Sequence, residues 1–148
     1  MFYSVGEMAK KLGVAPSTLR YYDKEGLLPF VDRSKGGIRV FKDADLEWLR
    51  IIECLKKTGM PLRDIKVFVE MAMAGDSTIG RRLDLIRERK RAVSEEIEKL
   101  KSTLETLEFK CWYYETAQAA GTAEVPRNMS DDELPERFIK VRRELKEH

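Results

Sequence analysis

The apolar positions of this chain repeat with helical spacing almost from the first residue. Ser4-Val5-Gly6-Glu7 has capping-box spacing, so a helix opens there, carries Met8, Ala9 and Leu12 on one side and stops at Gly13. A second helix begins at Pro16, a residue favoured at a first helical position, and sets Leu19 and Tyr22 on a face that packs on Leu12, Val14 and Leu27. Ser17, Thr18, Arg20, Tyr21 and Lys24 remain on its outward side. Two short helices joined across Leu12-Gly13-Val14-Ala15 predict a helix-turn-helix, whose second helix offers its first turns to base edges. The pattern then becomes FVDRSKGGIRVF, two short extended runs about the turn signal Gly36-Gly37, which predicts a hairpin wing.

Two further helices follow. Asp43 is the expected N-cap of the first, with Trp48, Ile51, Ile52 and Leu55 as its apolar face and Gly59 beyond its end. Pro61 opens the next, where Ile65, Phe68, Val69 and Ala72 repeat the spacing before Gly75. From Ile79 the steps alternate between four and three: Ile79, Leu83, Ile86, Lys90, Val93, Ile97, Leu100, Leu104, Leu107, Cys111 and Tyr114, with Lys90 the one charged member. Such a series predicts a coiled coil about 54 Å long at 1.5 Å per residue. Its exposed apolar stripe implies a partner helix, most simply that of a second copy, while Leu85, Trp112 and Tyr113 lie outside the seam and are expected to pack against the heads. Residues 119–128 read as a linker; beyond them Ser130 to Glu133 has capping-box spacing, and Leu134, Phe138, Val141 and Leu145 predict one face of a terminal helix. The expected fold is therefore mainly α: a winged helix-turn-helix head over 1–75, a dimerisation helix over 76–118 and a short tail over 119–148.

Charge sharpens this division. Residues 1–42 hold eight Lys or Arg against four acids, a local net charge of +4, whereas the whole chain is only +2. Positive charge is thus concentrated where the helix-turn-helix and wing lie, as a phosphate-binding surface requires. Arg20 suits bidentate reading of guanine or a phosphate contact, the Ser17 and Thr18 hydroxyls a base or the backbone, and the Tyr21 hydroxyl a phosphate. Arg33, Lys35 and Arg39 crowd the wing, and Arg63 stands in the first turn of the Pro61 helix, at its positive end.

The strings TLRYYDKEGLLP and GGIRVF, with the helix-turn-helix and wing around them, resemble the DNA-binding head of the MerR family of bacterial transcription regulators, a likeness covering roughly the first half of the chain, to about Gly75. The resemblance implies that the second helix enters the major groove while the wing and the paired helices behind it grip the backbone, and it implicates Thr18, Arg20, Tyr21, Arg33 and Arg39. It implies also an antiparallel homodimer that bends and untwists an over-long promoter spacer so that RNA polymerase engages both promoter elements. In the wing, Ile38 and Phe41 stand where the family usually carries Tyr, and neither donates a hydroxyl hydrogen bond.

Candidate chemistry for a switch is sparse. Cys54, Cys111 and His148 show no metal-ligand spacing, so neither a metal site nor an iron-sulfur cluster is expected; the family's metal sensors carry thiols after the long helix, where this chain has AAGTAEVP. The segment ECLKKTGM resembles that of a MerR-like subgroup responding to aldehydes or related electrophiles through a lone cysteine. At Cys54 two cations, Arg50 and Lys57, favour a thiolate while the helix's negative end opposes it, and burial in the packing is the competing role. Cys111, in the seam, reads as a core residue. A tail of about 30 residues is too small to enclose a drug-sized ligand alone, so a large effector domain is not expected. With no phosphate loop and no nucleophile–base pairing, nothing points to an enzyme or a cofactor. No apolar export segment or membrane-length run is present, from which cytoplasmic residence is expected. Two alternatives stay open: an effector-free DNA-binding repressor or architectural protein, and a coiled-coil adaptor that uses its head for protein contacts.

Overall fold

The computed structural model describes residues 1–146, so His148 lies outside the described residues. It is mainly helical. Strand β1 (Phe2–Tyr3) leads into α1 (Val5–Leu12) and α2 (Pro16–Lys24), then β2 (Asp32–Arg33) and β3 (Arg39–Lys42). Helices α3 (Asp43–Lys57) and α4 (Leu62–Ala74) follow, and a 3-10 turn (Asp76–Thr78) opens α5 (Ile79–Ala120). Helix α6 (Glu124–Asn128), a second 3-10 turn (Asp131–Glu133) and α7 (Glu136–Lys146) follow.

Local chemistry accounts for the first helices as the spacing predicts. The Glu7 N–H donates to Ser4 Oγ at 3.2 Å while the Ser4 N–H donates to the Glu7 carboxylate at 2.8 Å, and Gly13 ends α1 in the left-handed region at φ 79°. Pro16 is the first residue of α2, where its missing N–H costs nothing. The wing forms about Gly37, at φ 79°, with Asp32 opposite Val40 and Arg33 opposite Arg39 in antiparallel register. Strand β1, which the apolar pattern does not reveal, adds to the other edge of β3, giving the order β1-β3-β2.

Helix α3 departs from expectation in two ways. It begins at Asp43 with Lys42 as its cap, and the carboxylate that accepts the Lys42 N–H is that of Asp45, at 3.0 Å. Asp45 is buried, and desolvation lifts its pKa above the usual carboxylate value against the lowering effect of that bond. Asp43 instead accepts the Tyr3 hydroxyl at 2.7 Å, which ties β1 to α3 and holds the Asp43 carboxyl below its ordinary value. The buried face of α3 is also rotated from the expected one. Leu49, Ile52 and Leu55 are buried, Trp48 is half-buried and stacks on Phe30 at 5.6 Å between ring centroids, and Ile51 is exposed.

These helices enclose one core built on Met8, Leu19, Tyr22, Leu28, Phe41, Leu49, Ile52, Ile65 and Val69, all at most 1% exposed. Burial of each such side chain stabilises by roughly 1.5–3 kcal/mol, enough to hold a compact head. The compact unit runs to Val93, past the boundary expected at Gly75, because the first turns of α5 are pinned to it. The buried Thr78 hydroxyl reaches the carbonyls of Met71 (2.5 Å) and Gly75 (2.8 Å), and Arg82 donates to Thr78 Oγ1 and the Gly75 carbonyl. Arg89 Nε donates to the Thr58 carbonyl at 2.7 Å, on the C-terminal end of α3. Leu85 lines a small cavity there with Met60 and Ala92.

The second unit, Ser94–His148, has its own core. Trp112 and Tyr113, expected against the heads, pack instead with Phe109, Leu134, Phe138 and Val141. Their partners are the aromatic rings of the tail: Phe138 meets Phe109 edge-on at 5.6 Å and Trp112 at 5.8 Å. The segment read as a linker contains α6, with Pro126 buried. Ser130 and Glu133 form the expected capping box, although it closes a 3-10 turn, and α7 starts only after Pro135. Leu145, expected on the buried face of α7, is exposed.

Candidate nucleic-acid interface

Helix α2 divides as its spacing requires. Leu19 and Tyr22 are buried, and the Tyr22 hydroxyl donates to Glu53 of α3 at 2.5 Å. Desolvation, followed by that bond, pushes the Tyr22 phenol well above its usual pKa, so it remains a neutral donor. With that face anchored, Ser17, Arg20, Tyr21 and Lys24 are exposed and Thr18 is half-buried. One hydroxyl-rich, cationic surface therefore lines the first two turns and the far end of α2.

The wing is held beside this surface by a residue the spacing does not single out. Asp23, on α2, pairs with the guanidinium of Arg39 and lies 3.6 Å from that of Arg33. Arg39 also donates to the Val31 carbonyl at 2.6 Å, and Arg33 to the Gly37 carbonyl at 3.0 Å. Only 19% of the Arg39 side chain is exposed, against 53% for Arg33. Arg39 thus serves the joint between helix and wing, whereas Arg33 keeps an outward edge. Lys35 is exposed at the tip near Ile38, and Lys42 is engaged with Asp32 at 2.9 Å. Phe41, by contrast, is buried in the core. Arg63 projects from the first turn of α4, 85% exposed, with its neighbour Asp64 at 3.9 Å.

Cys54 is exposed. It opens on a groove of about 500 Å³ lined by Lys11, Leu12, Gly13 and Val14 from the helix-turn-helix and by Arg50, Glu53 and Lys57 from α3. The two predicted cations are therefore present, joined by Lys11, while Glu53 contributes an acid already engaged with Tyr22. Glu53 and Asp23 both escape a reading by sequence spacing, because the partner of Glu53 lies 31 residues away and those of Asp23 lie 10 and 16 residues away. Cys111 is exposed in the single chain. Among the described residues no group of three or more His, Cys, Asp or Glu is placed to hold a metal ion, and no helix is long and apolar enough to cross a membrane.

A helix-turn-helix with a basic wing fixed beside its second helix defines a DNA-binding head. Residues 3–72 match the MerR HTH family regulatory protein model, and residues 46–108 match the MerR DNA-binding model. A Haemophilus influenzae protein named as an uncharacterised HTH-type transcriptional regulator is 47% identical over 122 residues, 82% of this chain and 90% of its own. The solved structure of HiNmlR, described as a MerR family regulator lacking the sensor domain and bound to promoter DNA, is similar at TM-score 0.66 and 46% identity, covering 84% of this chain and 99% of that one. A MerR family transcriptional regulator from Bacillus thuringiensis is similar at TM-score 0.62 and 40% identity, covering 75% and 97%. The chain belongs to the MerR family and is a DNA-binding transcriptional regulator of that type.

Proposed function

We propose that two copies of this chain bind an inverted repeat in a promoter and deform the spacer so as to control RNA polymerase, with Cys54 as the switch. The observation that carries the DNA contact is the exposed, cationic face of α2 set beside a fixed wing. On this reading Arg20 reads a base, Ser17, Thr18, Tyr21 and Lys24 contact bases or backbone, and Arg33, Lys35 and Arg63 hold phosphates. Arg39 acts by fixing the wing. The head reads and α5 pairs.

Pairing is supported by the stripe on α5. Ile79, Leu83, Ile86, Ile97, Leu100, Leu104, Leu107 and Tyr114 are each at least 40% exposed, a display that water penalises along the whole helix. Orientation is supported by charge. Residues 79–93 hold six Lys or Arg and two acids, net +4, whereas residues 94–120 hold three Lys and six acids, net −3. An antiparallel pair sets each positive half against the partner's negative half; a parallel pair sets like against like.

A thiol that reacts with a small electrophile needs access and a nearby joint, and Cys54 has both: it is exposed, and it stands one turn before Thr58, which receives Arg89 of α5. Footprinting on the promoter beside the gene should show a protected inverted repeat between promoter elements. Transcription from that promoter should respond to aldehyde in the native chain and not in Cys54→Ala, whose operator affinity should be unchanged. A normal response in Cys54→Ala removes the switch from this reading.

A further inference from the structure

We infer that the tail belongs to the pairing surface: with the end of α5 it forms a groove that seats the basic first half of a second copy's α5. The inference rests on the dimer proposed above and adds to it a role for α7. The groove, about 450 Å³, has Leu104, Leu107 and Cys111 of the apolar series as its floor and Pro135 and Phe138 of the tail as its wall. Leu104 and Leu107 are each 55% exposed, so the tail shapes this part of the stripe without covering it. The wall is firmly built. Phe138 is 3% exposed and packed on Phe109 and Trp112, while Arg142 donates to the Met129 carbonyl at 2.6 Å and also pairs with Asp131, which Arg143 joins at 2.7 Å.

Charge and spacing identify the occupant. Glu108 and Glu115 stand at the groove, on the half of α5 that carries net −3, although Arg137 approaches Glu108 at 3.8 Å. Covering the whole series from Ile79 to Tyr114 by an antiparallel second copy centres the pair on Ile97. Leu83 of one copy then meets Cys111 of the other, Ile86 meets Leu107, and Lys90 meets Leu104. The one charged member of the series thereby comes within reach of the partner's acidic groove, where an ammonium is attracted rather than stranded. A parallel pair would instead set Lys90 against Lys90.

The test uses the full-length chain. In a Cys54→Ser background, Leu83→Cys should give a disulfide-linked dimer through Cys111 on mild oxidation, and the parent with Cys111 alone should not. In sedimentation velocity at low salt, Glu108→Lys and Lys90→Glu should each weaken self-association about tenfold, since each creates two like-charge pairs per dimer, and mixing the two should restore it. Phe138→Ala, which removes the wall and leaves the seam, should weaken it severalfold. A dimer that forms no link between positions 83 and 111, or whose association is indifferent to Phe138→Ala, overturns the groove while the dimer stands. A chain that stays monomeric at all concentrations overturns the dimer and the groove together. Saturable binding of the apolar dye anilinonaphthalene sulfonate at Trp112 in the intact dimer would show the groove open, and would likewise overturn the inference.

Discussion

Tyr22 illustrates how a single side chain serves both core and surface. Its ring fills the head while its hydroxyl holds Glu53. Tyr22→Phe keeps the ring and deletes a bond to a carboxylate, so it should cost about 1–2 kcal/mol of stability in urea denaturation. Gly59 is constrained from two sides: its φ is 79°, and a Cβ there would stand 2.7 Å from a guanidinium nitrogen of Arg89. Gly59→Ala should cost about 1–2 kcal/mol by the same measurement, through backbone strain and displacement of Arg89. On DNA, Arg20→Ala should lose about 1–3 kcal/mol at the specific site, whereas Lys35→Ala should weaken all sequences alike, as measured by fluorescence anisotropy. Equal losses on every sequence for both would contradict base reading by Arg20. The outward residues of α2 were legible because they follow helical spacing from Leu19 and Tyr22. Asp23 was not, since its value as the anchor of Arg33 and Arg39 depends on a chain reversal that no local spacing records.

Among the elements, legibility followed length and periodicity. Helices with several apolar repeats were readable; β1, two residues long, has no period to show, and α6 lies in a stretch whose Gly121 and Pro126 signal a break. The rotated face of α3 has a physical reason: a buried acid, Asp45, occupies a position that an apolar count passes over. Trp112 and Tyr113 were misplaced because a helix surface does not say which neighbour will cover it, and the tail supplied aromatic partners. That tail should respond to acid. Hydrogen bonds from Arg143 and Arg142 hold the Asp131 carboxyl below its ordinary value. A lowered carboxylate contributes stability above its unfolded pKa, about 4, and loses it as pH falls through the folded value. Near-UV circular dichroism of the Trp112 region should therefore be flat from neutrality down to about pH 4 and change below it, and Asp131→Asn should remove the part of the change that depends on this clasp.

At the scale of the whole molecule, charge separates two kinds of contact. DNA affinity should fall steeply with salt, with a log–log slope that decreases by about one for each phosphate-binding Lys or Arg removed. The adaptor reading expects no such dependence, and salt titration of promoter binding distinguishes the two. The pins at Arg82 and Arg89 carry a separate consequence, one of angular phase. Those pins hold the first turns of α5 to the head, and along the continuous helix Ile79–Ala120 the bearing of each side chain is set by residue count. Inserting one residue after Val93 displaces the later members of the apolar series by about 100° around α5 from the earlier ones, whereas inserting seven carries them through nearly two full revolutions and returns the stripe close to one line. On the proposed dimer, a chain lengthened by seven residues should therefore still pair and prefer a longer operator, while one lengthened by a single residue should lose cooperative promoter binding with its heads still folded.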